Sequence, residues 1–303
     1  MKKVVVTGAY GFLGRNLSRL LAAEGFHVTG LGHGVWDRDE WKKWGLSDWH
    51  VADITLESLL TYAGDPEMLF HCAGSGSVSF SMTHPAQDYQ RTVGSTLAVL
   101  EFARVYRRSL KLIFPSSAGV YGAVARMPIA INGPMQPTSP YGVHKKIAED
   151  LCRSYGTHFG VESSIIRLFS VYGIGIRKQL LWDACDKISV GNTEFFGTGE
   201  ETRDWIHVDD AARLLLLAAS STSRHAFIAN GGGGEALTVR EVLQAIADQF
   251  AAGPVSFSGT PRPGDPVHYQ ADISESSAIG WQPTKDWRSE IKSYVEWYRR
   301  GAP

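Results

Sequence analysis

Tyr141 and Lys145 stand four residues apart, a spacing that puts both on one face of a helix. The preceding Thr138-Ser139-Pro140 predicts where that helix starts. Ser139 is a good N-cap, and Pro140 suits the first helical position, where its missing N–H is not needed. A phenol keeps its proton up to about pH 10. A lysine ammonium beside it, or any other positive group bound there, favours the phenolate. Tyr141 can then exchange a proton with a hydroxyl or carbonyl near neutral pH. A second hydroxyl comes from Pro115-Ser116-Ser117, where the apolar run Leu112-Ile113-Phe114 ends. Ser117 is the first choice to bond the same substrate oxygen, and Ser116 the second. A tyrosine and lysine at this spacing are common on helix surfaces, so the assignment needs support from elsewhere in the chain.

The chain start supplies it. Val4-Val5-Val6 runs into Thr7-Gly8-Ala9-Tyr10-Gly11-Phe12-Leu13-Gly14, with Gly8, Gly11 and Gly14 three apart. Such glycines between a strand and a helix allow a tight turn, close approach of backbone to a pyrophosphate and close helix–strand packing. The helix, beginning near Phe12, offers its free N–H groups to the phosphates. Leu13, Leu17, Leu20 and Leu21 recur at helical spacing and anchor it. This is the context of a dinucleotide site for NAD or NADP, lined by Gly8, Tyr10, Gly11, Phe12, Leu13, Gly14 and Arg15. The second apolar run ends in Leu31-Gly32-His33-Gly34, without an acid to accept from the 2′-hydroxyl of NAD. Arg15 and His33 are candidates to receive a 2′-phosphate, which puts NADP slightly ahead of NAD. Asp53, followed by Ile54, ends the third run and is placed to accept from the adenine amino group. Ala73 and Gly74 end the fourth, where small residues let a cofactor approach. Lys145 is expected to bond the nicotinamide ribose, so Tyr141 and Lys145 serve cofactor and catalysis alike.

The elements that must position these groups form an α/β pattern. Apolar runs at residues 4–6, 26–31, 49–51, 68–71, 110–114 and 164–168 alternate with helical segments. That alternation predicts a doubly wound parallel Rossmann sheet covered on both faces. Beyond residue 170, glycine and proline become frequent, and a smaller, loop-rich C-terminal substrate domain is expected. The predicted division is 1–170 for the dinucleotide domain, with a returning segment at about 203–230, and 171–303 for the interleaved substrate domain. The 303 residues carry a formal net charge of -1, so no general basic surface for nucleic acid is expected. Cys72, Cys152 and Cys185 fit no zinc or redox spacing, and an odd count fits a disulfide framework poorly. Reduced thiols and a cytoplasmic location are the expectation. No apolar run reaches the length of a membrane span; the longest, Leu214 to Ala219, reads as a buried helix face.

The glycine loop, the serine strand end and the tyrosine helix, in that order, resemble the extended short-chain dehydrogenase/reductases, in the epimerase/dehydratase branch that includes UDP-galactose 4-epimerase. The resemblance covers nearly the full length. It extends to Arg167-Leu168-Phe169-Ser170-Val171-Tyr172-Gly173, to the stretch from Gly197 to Asp210, and to Arg262-Pro263-Gly264-Asp265. It implies that Arg203 and Arg262 hold a substrate diphosphate, a task suited to planar guanidinium groups, with Ser170 and Asp265 beside them. The chain departs from the family at several points. Ser117-Ala118-Gly119 lacks the second acid/base pair of the dehydratases, and Ala118 replaces the cysteine of the 3,5-epimerase/reductases. Thr92 and Ser170 stand where asparagines are usual. The resemblance implies epimerisation of a sugar nucleotide at C4 through a transient 4-keto sugar, with an NADPH-dependent 4-keto reductase as the alternative. A dinucleotide-binding protein without catalysis is the contrasting class; the presence of both Tyr141 and Lys145 argues against it. The family also implies a homodimer through two helices, near 86–107 and 141–158, with Val93, Leu97, Leu100 and Tyr155 as candidate seam residues.

Overall fold

The computed structural model describes residues 2–37, 39–106, 109–259 and 268–302. In chain order the strands are β1 (Lys3–Thr7), β2 (His27–Gly32), β3 (Asp48–Val51), β4 (Met68–His71), β5 (Lys111–Ser117), β6 (Glu162–Leu168), β7 (Ser170–Tyr172), β8 (Glu194–Phe195), β9 (Thr202–His207), β10 (Phe227–Gly231), β11 (Ala236–Thr238) and β12 (Ser256–Phe257). The α-helices are α1 (Phe12–Ala23), α2 (Glu40–Lys43), α3 (Leu56–Tyr62), α4 (Val78–Thr83), α5 (Pro85–Tyr89), α6 (Ser95–Tyr106), α7 (Pro140–Phe159), α8 (Gln179–Ser189), α9 (Val208–Ala218), α10 (Val239–Gln249), α11 (Ser274–Ala278) and α12 (Trp287–Arg299).

Seven strands make one parallel sheet in the order β10-β6-β5-β4-β1-β2-β3. The expected doubly wound sheet is therefore present. Val4, Val5 and Val6 are all 0% exposed, because helices cover both faces of the sheet. Each such side chain contributes about 1.5–3 kcal/mol of burial. One face packs on Leu17 and Leu21 of α1 and Leu214 and Leu215 of α9. The other packs on Leu59 of α3, Val99, Leu100 and Phe102 of α6, and Ala148 and Cys152 of α7. Strand order reverses between β1 and β4, and a crevice opens there at the strands' carboxyl ends.

A second apolar core lies in the C-terminal part. Leu181 and Cys185 of α8, Val242 and Ile246 of α10, and Ile291 and Val295 of α12 form it. Two small sheets, β11-β9-β7 and β12-β8, belong to this part. The chain then returns: α9 packs beside α1, and β10 pairs with β6 at the edge of the large sheet.

Three details differ from the expectations. β5 runs on past Phe114 through Pro115 to Ser117. It pairs with β4 only as far as Ile113, so the missing N–H of Pro115 falls on an unpaired flank. A π-helical turn, Gln90–Gly94, joins α5 to α6. The third concerns the seam. Val93 and Leu100 are 4% and 0% exposed within this chain's own core, and the Tyr155 hydroxyl donates to Glu101 of the same chain. Only Leu97 of the four candidates stays exposed, at 42%. Among the described residues, no helix is long and apolar enough to cross a membrane.

Candidate active site

The crevice begins at the glycine loop. Gly8 has φ +69°, and a side chain there would stand 2.6 Å from the Ala73 nitrogen. One at Gly14 would overlap the Gly8 carbonyl. The loop therefore lies against the end of β4 with room for backbone only. Gly11, the N-cap of α1, has no side chain to occupy the N–H groups of the first turn. Those donors and the helix dipole suit a diphosphate, and the bare backbone cradle fits a dinucleotide. Behind it, Thr7 Oγ1 lies 2.7 Å from His71 Nδ1 and Ser95 Oγ lies 3.2 Å from Nε2, tying β1, β4 and α6 together. Burial holds the His71 pKa down at about 3, so the ring is neutral. Gly74 turns away with φ +134°, beside Thr92, whose Oγ1 accepts from the Ser75 N–H at 3.3 Å.

At the adenosine end the named residues have partners within the chain. Arg15 donates from Nε and Nη2 to the Tyr10 carbonyl at 3.0 and 2.6 Å. Its guanidinium also lies 5.1 Å from the ring centroids of both Tyr10 and Trp44. His33 Nε2 sits 2.6 Å from Asp53 Oδ1, with both side chains largely exposed. The two groups assigned to a 2′-phosphate are thus committed to other partners. Asp53, assigned to the adenine amino group, is one of those partners, and Ile54 beside it packs on the core next to α3. Gly32 has φ +154°, and a side chain there would meet the Gly8 nitrogen and Cα at 3.3 Å. An acid at position 32 would be strained as well as crowded. Tyr10 instead lies against Gly34 and 4.9 Å from the ring of Trp36.

The catalytic candidates come together as expected. Ser139 accepts from the Gly142 N–H at 3.2 Å and caps α7, with Pro140 in its first turn. Gly142 lets the helix approach Gly119 so closely that a side chain would overlap the Gly119 carbonyl. This brings Tyr141 to Ser117: both border Gly119, where an added side chain would stand 3.4 Å from Ser117 Oγ and 3.5 Å from the Tyr141 ring. Burial raises the Tyr141 pKa; the Ser117 hydroxyl lowers it and the charge of Asp88 raises it further. Lys145 is 6% exposed and donates to the Pro115 carbonyl at 3.1 Å. Burial pushes its pKa down to about 8. Ser116 is not part of this group. It is 4% exposed and donates to Glu149 Oε1 at 2.6 Å.

Glu149 belongs to a network absent from the sequence reading. Arg167 Nη2 meets its Oε2 at 2.8 Å, with both side chains 0% exposed. Arg167 also donates to the Tyr121 hydroxyl at 3.0 Å and to the Ile131 carbonyl at 2.7 Å. A buried pair with every donor engaged braces β5 and β6 beneath Ser117. The signal was an arginine inside the apolar run Ile165-Ile166-Arg167-Leu168.

On the substrate side, Ser170 opens β7 and pairs in register with Trp205 of β9. Arg203, in the same β9, is half-buried and donates to the Thr202 carbonyl at 2.9 Å. Arg262 and Asp265 lie outside the described residues. Next to Arg203, Asp204 is 0% exposed and accepts from the N–H groups of Gly233, Gly234 and Ala271. Burial pushes its pKa up to about 7 against those three donors. It pins the turn at Gly233 and Gly234 and the segment at Ala271 onto β9.

Glycine loop, Ser117, Tyr141 and Ser170 all lie at the carboxyl ends of the parallel strands, where open α/β sheets bind ligands. Over nearly its whole length the chain is similar to known epimerases. It is 28% identical over 311 residues to a putative UDP-glucose 4-epimerase of Methanocaldococcus jannaschii, with 98% of each chain covered. It is 26% identical over 336 residues to the CDP-paratose 2-epimerase of Salmonella typhi, covering 97% of this chain and 98% of that one. Among solved structures, the UDP-glucuronic acid 4-epimerase of Bacillus cereus in complex with UDP-glucuronic acid and NAD superposes with a TM-score of 0.86 at 25% identity, covering 98% of this chain and 99% of that one. The pattern of the NAD dependent epimerase/dehydratase family matches residues 4–229, three quarters of the chain, and the chain belongs to that family.

Proposed function

We propose that the chain is a nicotinamide-dependent sugar-nucleotide epimerase acting at C4 through a transient 4-keto sugar. The observation that carries this reading is the placing of Tyr141 and Ser117 together about Gly119, set beside a backbone-only glycine cradle at the strand ends. Gly8, Gly11, Gly14, Ala73 and Gly74 would hold the dinucleotide, which supplies a hydride acceptor and a positive ring. Tyr141 takes the proton of the C4 hydroxyl, and Ser117 bonds the same oxygen as it becomes a carbonyl. Lys145, buried and cationic, lowers the cost of the phenolate. After the keto sugar turns over in the site, the hydride held by the dinucleotide would return to the opposite face of C4, and Tyr141 returns the proton to the C4 oxygen. Arg203 and Arg262 are assigned to the diphosphate, with Ser170 and Asp265 toward the sugar. Relatives that act on UDP sugars favour a uridine diphosphate as the nucleotide part of the substrate.

NAD is the preferred dinucleotide in this reading. Arg15 and His33, the two groups a 2′-phosphate would need, are engaged by Tyr10 and Asp53. The test is incubation with UDP-galactose, UDP-glucose or UDP-glucuronic acid in the presence of NAD. An epimerase yields the 4-epimer with no net change in nicotinamide absorbance. Stoichiometric consumption of NADPH with a 4-keto sugar nucleotide, without interconversion of 4-epimers, would refute the proposal in favour of the reductase.

A further inference from the structure

A buried acid–base pair lies beside Tyr141 and Lys145 and takes no part in the mechanism above. Asp88, in α5, has a side chain 0% exposed, and its Oδ2 lies 2.6 Å from Nδ1 of His144. His144 is on α7, three residues after Tyr141 and directly before Lys145, with a side chain only 12% exposed. Three residues apart on a helix are surface neighbours, so the imidazole flanks Tyr141. The edge of the Tyr89 ring closes over the imidazole, the centroids 5.4 Å apart. The other carboxylate oxygen, Oδ1, is buried with no hydrogen-bond partner. A carboxylate buried on so few contacts is costly to keep.

Its charge reaches the catalytic groups, raising the pKa of both Tyr141 and Lys145. A lone carboxylate here opposes the phenolate that Tyr141 must form. A hydrogen bond donated to the carboxylate from His144 Nδ1 lessens that opposition. We propose that Asp88 and His144 form a positioning pair for Tyr141, in which the imidazole Nδ1–H holds the buried Asp88 carboxylate and reduces the charge it presents to the phenol. The pair acts through Tyr141 and touches no substrate. The inference rests on the reading of Tyr141 as the acid/base group.

The charged and titratable neighbours are few. Tyr89 comes from α5 itself, and His84, bonded to Thr83 Oγ1 and stacked on Phe80, from the turn before it. The π-helical turn brings Arg91, whose guanidinium lies 4.9 Å from the Phe80 ring centroid. From α7 come Tyr141 and Lys145, and α4 carries no titratable side chain. Removing His144 leaves Asp88 Oδ2 without the hydrogen-bond partner it has in His144.

The test reads Tyr141 directly. Phenolate absorbance is titrated in the full chain loaded with NAD, as the difference between each protein and its Tyr141→Phe counterpart. His144→Gln should raise the Tyr141 midpoint by about one pH unit, the effect of one uncompensated charge at short range. His144→Asn should do the same with a different shape. The double variant His144→Gln/Asp88→Asn removes the carboxylate as well and should return the midpoint toward its wild-type position. A role in packing alone predicts no such rescue. A Tyr141 that titrates with a midpoint unmoved by His144→Gln, or equally displaced in the double variant, overturns the inference alone. A wild-type Tyr141 that does not ionise below about pH 9 overturns the acid/base reading and this inference together.

Discussion

Burial opposes the charge that Tyr141 must carry, and the residues around it offset that opposition. Burial raises its pKa and lowers that of Lys145 to about 8, while the Ser117 hydroxyl lowers the tyrosine's own. Tyr141→Phe keeps the ring and its packing but removes the proton. Turnover should fall at least about a hundredfold, as is usual for loss of a general acid/base, with the melting temperature nearly unchanged. Near-normal epimerisation by this variant would remove Tyr141 from the chemistry. These residues were legible in the sequence because each motif is local: Tyr141 and Lys145 share one helix, and the glycines share one loop. Groups whose partners are distant were not legible. Asp204 bonds the Ala271 N–H, Asp88 meets His144, and Ser116 meets Glu149, all across folds in the chain. The partners that Arg15 and His33 have within the chain were not legible for the same reason, since neither Asp53 nor Trp44 announces its contact from sequence spacing.

Helices and strands set the distances between those residues, and the start of α7 is the tightest point. A side chain at Gly142 would overlap the Gly119 carbonyl and stand 2.8 Å from Pro137 Cβ. Gly142→Ala should therefore push α7 away from the Ser117 turn. The expected cost is about 1–3 kcal/mol of stability, in the range for overpacking, together with a loss of turnover. Gly253→Ala, where nothing lies within 4 Å, is the control and should change neither. Thermal melting and UDP-galactose turnover measured together decide this; equal behaviour of the two variants would show that the close approach has no role. The order of strands and helices was readable because buried parallel strands are continuous apolar runs. The extension of β5 through Pro115 was not, because only the end of β4 makes a proline tolerable there. The π-helical turn had no sequence signal either, since its residues, Gln90-Arg91-Thr92-Val93-Gly94, have no special turn chemistry.

At the scale of the whole molecule, the remaining question is what covers the outer face of α6 and α7. Leu97 and Val105, eight apart on α6, are 42% and 44% exposed, and Val143 on α7 is 40% exposed. Residues at that spacing share a helix face. The neighbouring polar groups are already paired within the chain: Glu101 takes Arg104 and the Tyr155 hydroxyl. An apolar stripe bordered by satisfied polar groups suits an interface. We propose that it pairs with the same stripe on a second copy, related by a two-fold axis. A stable pairing of this kind buries at least about 1,000 Å² in total, which two helices per subunit can supply. Light scattering at micromolar concentration should give the mass of a dimer. Leu97→Glu combined with Val143→Glu places like charges across the axis and should shift the protein to monomer with its fold intact. Wild-type protein that is monomeric at that concentration, or a double variant that remains fully dimeric, would place the seam elsewhere or abolish it. Because Val143 lies between Tyr141 and His144 on α7, loss of the dimer should also disturb the ionisation of Tyr141, which links assembly to chemistry through one helix.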